Sequence, residues 1–187
     1  MKTNFKQRVL TLALAAVFAI GSVAIGVNAY AAAATSTATS TVIAPIGITA
    51  PVVLSFGKFA PGAGGSVTIS NSGARTGTGV ILSSTASTLT AARFDVTGEA
   101  STTYAITHSG VALLTGISGA ALTLPSTMAL AKTSDLTGAN VTTGNVASGT
   151  LTAGGTQSIF VGGALTVGAT QAAGVYTGAV TVTVEYN

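Results

Sequence analysis

The end of the sequence carries the pattern that most restricts its fold. Apolar and polar residues alternate strictly from Val180 to Asn187, and the apolar set is Val180, Val182, Val184 and Tyr186. Because successive side chains of a strand point to opposite faces, this pattern predicts a β-strand with one face in a hydrophobic core. We expect a strand at this position to pair with an earlier segment of the chain or with another molecule.

The rest of the sequence indicates further short strands. Apolar or alternating runs are separated by Gly, Pro, Asn and Ser, and no long segment has the period of a helix. This organisation is typical of an all-β sandwich or barrel with antiparallel strands. The runs are Val42–Ile48, Val52–Phe56, Ser66–Ser70, Gly79–Ser83, Arg93–Thr97, Thr103–Thr107, Val111–Leu114, Ala121–Leu124, Gln157–Val161, Ala164–Val167 and Tyr176–Tyr186.

Some segments carry more specific predictions. Residues 98–102 are expected to form a hairpin loop between two strands, and the Gly-rich residues 61–65 are expected to form a turn. Residues 132–155 are polar and rich in Gly, Thr and Asn, which predicts a long surface excursion with one or two minor strands. The residues expected to face the core are Phe94, Val96, Tyr104, Ile106, Val180, Val182 and Val184.

The first 31 residues have the organisation of a secretory signal peptide. Three cationic residues precede the uncharged apolar run Val9–Val27, and the A-x-A-like site Ala29-Tyr30-Ala31 follows. We expect cleavage after Ala31, which leaves no integral membrane segment in the mature chain. The alternative is an uncleaved anchor, because the run approaches the roughly 20 residues that span a bilayer.

Charge and cysteine content restrict the partners of the mature chain. The formal charge of +3 for the whole sequence comes from the leader, because Lys2, Lys6 and Arg8 lie there and the remaining four cationic residues balance four acidic ones. A neutral chain lacks the electrostatic footprint of a nucleic-acid-binding or anionic-membrane-binding protein. The absence of cysteine means that an exported chain of this kind is stabilised by burial without disulfides.

The predicted organisation therefore has three parts. The signal peptide is residues 1–31, and residues 32–41 form an extension of only Ala, Thr and Ser. Residues 42–187 form the β-domain. The apolar face of the extension continues past residue 41 to residue 48, through Val42, Ala44, Ile46 and Ile48.

Residues with catalytic or ligand-binding chemistry are few, so we expect neither an enzyme nor a cofactor or metal site. His108 is the only histidine, it stands outside any nucleophile motif, and we expect it at the surface. A glycosidase pair from Asp95 and Glu99 is compatible with spacing alone. The aromatic residues Tyr104, Phe160 and Tyr176 have the chemistry to stack on sugars, although aromatic residues in alternating strands more often belong to the core. The chain has one imidazole, four carboxylates and no thiolate for metal binding.

The alternating end of the chain resembles a motif of known protein families. Two further segments, Leu54–Gly57 and Ala173–Gly178, add to this resemblance. Gly174, fourteenth from the end, and the penultimate Tyr186 resemble the C-terminal motif of bacterial chaperone-usher pilins. The chain is similar to the spore coat protein U group of archaic pilins, and most similar to the secreted family called domain of unknown function 4402.

The resemblance implies a fold, partners and a location. It implies an immunoglobulin-like sandwich that lacks its last strand, completed by the N-terminal extension of another copy. It further implies a periplasmic chaperone and an outer-membrane usher, with export to the periplasm and then to the cell surface or medium. The residues that would form the chaperone or assembly interface are Gly174, Val180, Val182, Val184 and Tyr186. Val42, Ala44, Ile46 and Ile48 would belong to the donor strand.

Two kinds of function remain open at this stage. The first is a non-enzymatic subunit of a surface filament or coat that assembles by strand complementation. The second is a self-contained secreted β-sandwich whose own N-terminal segment completes the sheet, acting as a surface, matrix or carbohydrate-binding adhesin module. Filaments visible by electron microscopy would favour the first, and a stable monomer that binds glycans would favour the second.

Overall fold

The structure is a computed structural model that describes residues 32–109, 112–116, 127–139 and 144–187. The chain divides into two units, Met1–Thr41 and Val42–Asn187. In the first unit, residues 32–41 are exposed and form no strand. The expected signal peptide and the predicted strand Ala121–Leu124 lie outside the described residues. Nothing in the described ranges forms an apolar helix of membrane-spanning length.

The second unit is built from short strands, as the sequence predicts, and no helix occurs among the described residues. Each strand pairing in these residues is antiparallel. The strands are β1 (Gly47–Val52), β2 (Phe59–Ala60), β3 (Gly65–Ile69), β4 (Arg75–Thr78), β5 (Ile81–Leu82), β6 (Ala92–Thr97), β7 (Thr103–His108), β8 (Ala112–Gly116), β9 (Thr127–Asp135), β10 (Ser148–Thr150), β11 (Thr156–Val167), β12 (Tyr176–Thr177) and β13 (Val182–Tyr186).

The strands form two principal sheets. The larger sheet has the order β1-β6-β11-β9-β8-β12, and β3 and β4 continue it beside the second half of β11. The smaller sheet has the order β10-β7-β13, and β2 and β5 form a separate pair. Buried side chains of β6 and β11 pack against those of β7 and β13. The fold is therefore an antiparallel β-sandwich with its core between the sheets.

Strand β11 organises the larger sheet because three strands pair with it. β6 pairs with its first half, β3 pairs with its second half, and β9 pairs along the opposite edge. The partner changes at Gly162, where a Cβ atom would lie 2.4 Å from the main-chain oxygen of Ile69. A glycine therefore lets β3 approach this point, and the two runs that the sequence shows on either side form one strand.

The core consists of two hydrophobic clusters. Cluster 1 is formed mainly by β6, β7, β13 and the first half of β11. Cluster 2 is formed by β3, β9, the second half of β11 and the isolated residue Phe56. Leu54 and Val180 pack against both clusters. The predicted core is confirmed: Val180 is half-buried, and the buried members are Phe94, Val96, Tyr104, Ile106, Val182 and Val184.

The predicted hairpin at residues 98–102 is wrong. β6 lies in the larger sheet and β7 lies in the smaller one, so this link crosses between the sheets. The alternation in each strand correctly predicted which face is buried, but it holds no information about which strand lies alongside. The turn at residues 61–65 is confirmed, since it joins β2 to β3 and the Gly64 amide donates to the Pro61 oxygen at 2.9 Å.

The predicted surface excursion over residues 132–155 is also wrong in its first part. Residues 132–135 are the end of β9, and Ser134 and Asp135 are buried. Both side chains have hydrogen-bond partners within the fold, which offsets the cost of burying them. The minor strand expected later in this region is β10.

Candidate functional site

A groove opens between two irregular segments of the sandwich. It consists of a cavity of about 390 Å³ and an adjoining cavity of about 170 Å³. Both cavities are lined by Leu54, Phe56, Leu114 and Tyr176. The floor of the larger cavity comes from cluster 2, through Met128 and Leu165. We call this feature the core groove; it brings together the two segments that carry the family resemblance.

The first wall of the groove is the segment from Leu54 to Lys58. Its main chain makes one isolated bridge, from Ser55 to Thr90, and it forms no strand ladder. The Arg75 guanidinium donates to the main-chain oxygens of Phe56 and Lys58 at 3.1 and 3.0 Å. These contacts hold the segment in place while the Phe56 side chain enters cluster 2.

Gly57 explains why this wall has its particular sequence. Its φ is +67°, and a Cβ atom would lie 2.6 Å from the side chains of Leu89 and Ser87. Another residue would therefore be strained and would collide with its neighbours. The Leu54–Gly57 motif thus combines two core-facing side chains with a turn that only glycine accommodates.

The second wall is the segment from Gly174 to Val180. Only Tyr176 and Thr177 belong to a strand, β12, which pairs with β8. The Tyr176 hydroxyl donates to the Ala172 oxygen at 2.7 Å and accepts from Gln171 Nε2 at 2.8 Å. Residues 178–181 are irregular, so the predicted run Tyr176–Tyr186 is two strands that belong to different sheets.

The structure divides the expected assembly residues between the groove and cluster 1. Gly174 lines the larger cavity, and Val180 lines the smaller one. Val182 and Val184 point into cluster 1, and Tyr186 packs at its edge. Their strand, β13, pairs with β7 along one edge, and no described strand pairs with its other edge.

The candidate donor residues are also divided. Val42 is 93% exposed, and Ala44 is exposed as well. Ile46 and Ile48 are half-buried and pack against cluster 1 of their own chain. Ile48 lies in β1 opposite Val96 of β6. This apolar face therefore contacts the core through its second half only.

Three hydrogen bonds fasten the start of the second unit to the end of β13. The Ala44 amide donates to Glu99 Oε2 at 3.0 Å, and the Tyr186 hydroxyl donates to the Ala44 oxygen at 2.9 Å. The Glu99 amide donates to the same hydroxyl at 2.6 Å. Gly98 makes room for this ring, because a Cβ atom there would lie 2.3 Å from the hydroxyl oxygen. We call these contacts the Tyr186 lock; they close the edge of cluster 1.

His108 is not the surface residue that the sequence suggested. It is half-buried, and its Nε2 lies 3.0 Å from Ser134 Oγ and 3.2 Å from the Val146 oxygen. Burial lowers the pKa of His108; the Val146 carbonyl opposes this shift and the charge of Lys132 adds to it. Ser134 is only 4% exposed and its oxygen accepts the Val146 amide, so it lacks the access that a nucleophile needs. The contact joins the two sheets.

The other sequence candidates lie apart. Asp95 pairs with Arg93 at 3.1 Å, whereas Glu99 belongs to the Tyr186 lock, so the two carboxylates have separate partners. Tyr104 is fully buried in cluster 1, and Tyr176 lines the core groove. Phe160 is half-buried on the outer face of the larger sheet, where its neighbours in sequence point into the core.

The floor of the groove was not predicted. Leu114, Met128 and Leu165 belong to strands far apart in sequence, and each looks like an ordinary core residue of its own strand. The signal that did exist was the pair of Gly-containing segments at Leu54–Gly57 and Ala173–Gly178. Their shared position in the fold appears only once the strands are paired.

These features define an antiparallel β-sandwich domain with an open groove beside cluster 2 of its core. The model of the family described as "Domain of unknown function (DUF4402)" matches residues 46–186. This match covers most of the chain, so the chain belongs to that family. Both walls of the core groove and the whole of β13 lie within the matched residues. No curated protein matched the chain.

Proposed function

We propose that the protein is a non-enzymatic structural subunit of a surface filament or coat, in which a strand from one copy completes the core of another. The core groove is the observation that carries this proposal. Its two walls consist largely of main chain without a strand ladder, and cluster 2 forms its floor. An added strand requires apolar side-chain contacts beside main chain outside a long strand ladder, and the floor and walls of the groove offer these.

The acceptor side of the proposed contact has a buried floor and an exposed rim. Phe56, Met128 and Leu165 form the floor, while Val175 on the rim is 67% exposed. Each aliphatic side chain that a donor buries there contributes roughly 1.5–3 kcal/mol, from which the cost of ordering the donor is subtracted. The stability of the contact therefore depends on how many large apolar side chains the donor turns toward this floor.

The donor in this proposal is the extension ahead of β1. Ile46 and Ile48 already pack on cluster 1, so the part free to enter another copy ends at Ile43. Its large apolar residues are Val42 and Ile43, which are 93% and 47% exposed. The preceding Ala and Thr methyl groups add only about 0.8 kcal/mol each when buried. The expected contact is weaker than one made by a Val- and Ile-rich donor.

The proposal includes partners and a location. The open edge of β13 is where a periplasmic chaperone would add its own strand during export, before an outer-membrane usher passes the subunit on. The remaining partners are copies of the same chain. The protein would then be periplasmic in transit and finally cell-surface or extracellular.

One observation favours the second candidate function, a monomeric secreted module. The Tyr186 lock and the packing of Ile46 and Ile48 against cluster 1 are contacts within one chain, and they support this candidate. If residues ahead of Ala44 folded back in the same way, the protein would need no neighbour. It would then act as a surface, matrix or carbohydrate-binding adhesin.

A pair of matched substitutions tests the filament proposal at the acceptor. Val175 and Val53 are 67% and 72% exposed, but only Val175 lines the core groove. Val175→Asp places a charge where the donor must bury apolar side chains, so we expect filaments to be lost while the monomer stays folded. Val53→Asp should leave assembly intact. Electron microscopy and light scattering of protein released from the cell surface measure the difference, and equal assembly by the two variants would contradict the proposal.

A deletion tests the donor and separates the two functions. Removing residues 32–43 should abolish polymers, and a synthetic peptide of that sequence should then bind the shortened protein. If the segment instead completes its own molecule, the deletion should lower the urea midpoint of a protein that was already monomeric. Binding of the peptide by calorimetry, with the Val175→Asp form of the shortened protein as control, distinguishes these results.

A further inference from the structure

The outer face of the larger sheet carries an aromatic residue surrounded by charged groups. On this face, Phe160 of β11 lies opposite Arg93 of β6 on one side and Asp135 of β9 on the other. Two residues further along, Asp95 lies opposite Ser158. Residues 32–187 hold four cationic and four acidic side chains, so three of these eight lie within two rungs of one phenylalanine.

Two shallow clefts meet at Phe160. One, of about 580 Å³, is lined by Arg93, Asp95 and Ser158, and the other, of about 370 Å³, is lined by Asn71, Thr137 and Gly138. Phe160 and Arg93 line both clefts. An elongated molecule that crosses this face would therefore contact the phenyl ring and have polar side chains on either side of it.

The groups around Phe160 are held in fixed positions. Asn71 is fully buried, and its Nδ2 donates to the main-chain oxygens of Phe160 and Thr133 at 2.9 and 3.2 Å. Asp135 Oδ1 accepts the amides of Thr137 and Gly138 at 2.8 and 2.6 Å. This turn places Gly138 over one face of the phenyl ring, because an added Cβ would lie 3.6 Å from three ring carbons on both sides of the ring. The ring is thus positioned before any ligand arrives, which lowers the ordering cost of binding.

The polar groups beside the ring provide both donors and acceptors. Arg93 Nη2 donates to Asp95 Oδ2 at 3.1 Å, and Ser158 Oγ donates to Asp95 Oδ1 at 2.8 Å. The side chains of Arg93 and Asp95 remain 42% and 35% exposed, so ligand hydroxyl groups can reach them. A guanidinium only donates and a carboxylate only accepts, so together they match hydroxyl groups, which do both.

We propose that this face binds a neutral oligosaccharide. A pyranose ring has a C–H face that packs on the face of the phenyl ring opposite Gly138, and hydroxyl groups at its edge that pair with Arg93 and Asp95. The arrangement follows the general form of a ligand site, an apolar platform with a few fixed polar groups. The three charged groups sum to −1, which disfavours acidic glycans. This site lies outside the core groove and does not depend on assembly, so a filament or a monomer can carry it.

The test measures binding to a panel of neutral tetrasaccharides built from glucose, mannose, galactose, xylose or N-acetylglucosamine. Saturation-transfer NMR and calorimetry on the exported protein should detect at least one ligand, and the amide shifts of Arg93, Thr137 and Ser158 should move. Phe160→Ala should weaken binding at least about tenfold, and Phe160→Tyr should retain it because the ring remains. Asp95→Asn should weaken binding less.

Phe59→Ala is the matched control, because it removes a different half-buried phenyl ring, one that lines the core groove. It should leave glycan binding unchanged. Circular dichroism of each variant confirms folding, and should Phe160→Ala fail to fold, the amide-shift map on the unsubstituted protein decides the matter. Hyaluronan, a charged glycan, is measured beside the panel. The proposal is overturned if no panel member binds, if the shifts lie elsewhere, or if only hyaluronan binds.

Discussion

The two clusters of the core are closed in different ways. Cluster 1 is covered at its edge by Ile46 and Ile48 and fastened by the Tyr186 lock. Cluster 2 ends at the core groove, whose walls contain the short strand β12 and the isolated bridge from Ser55 to Thr90. Among the described contacts, Ile46 and Ile48 pack against cluster 1 and not against cluster 2. The open groove of this sandwich therefore lies beside cluster 2, between the two segments that carry the family resemblance.

The largest expected effect is on cluster 1. Val182→Asp replaces a buried side chain of β13 with a charge that has no partner, so it should lower the free energy of unfolding by about 3–5 kcal/mol. Thr181→Asp changes the exposed neighbour and should cost less than about 1 kcal/mol. Urea denaturation of the two variants measures the difference. Equal midpoints would show that β13 does not bury the face assigned to it.

A smaller effect is expected at the Tyr186 lock. Tyr186→Phe removes the hydroxyl that accepts the Glu99 amide and donates to the Ala44 oxygen, which should cost about 1–2 kcal/mol. Hydrogen exchange at the Ala44 and Glu99 amides should accelerate, because the start of the second unit is then held less firmly. Glu185→Gln is the control on the exposed face of the same strand. Unchanged exchange in Tyr186→Phe would mean that other contacts close cluster 1.

The smallest effect concerns pH. The pKa of His108 is lowered in the folded protein, chiefly by burial, from an ordinary value of 6.5. As the pH falls below 6.5 the unfolded chain therefore takes up a proton before the folded chain does, and stability decreases until the pH passes the folded pKa. His108→Gln should flatten this part of the curve, measured by urea midpoints at pH values above the range where carboxylates titrate. If the urea midpoint of the unsubstituted protein rises as the pH falls below 6.5, the pKa of His108 is not lowered in the folded protein.

The sequence predicted the composition of the core well because a strand's alternation directly records burial. Val96, Tyr104 and Ile106 are buried as their spacing indicated. Which strands pair depends on residues far apart in sequence, and the alternation within one strand does not record it. The link at 98–102 was therefore wrongly predicted to be a hairpin. The pattern of β6 is the same whether its neighbour is β7 or β11.

The candidate sites were less predictable, because they too depend on contacts between residues far apart in sequence. Phe160 occupies the solvent face of a strand whose other side is core, and its aromatic character alone favoured the wrong face. Ser134 looked like a surface residue, but the His108 contact accounts for its burial. The groove depends on Leu114 and Leu165 lining one cavity from strands on either side of β9, which no local pattern records.

The most direct test of strand complementation uses the absence of cysteine from this chain. Val42→Cys labels the exposed end of the donor and Val175→Cys labels the rim of the core groove. When the two single-cysteine proteins are exported together under mild oxidation, mixed dimers linked by a disulfide should form in much greater yield than with Val53→Cys in place of Val175→Cys. Strand complementation would be contradicted by two results together. The yield of mixed dimers would be no greater than with the Val53→Cys control, and light scattering would show the protein to be monomeric at high concentration.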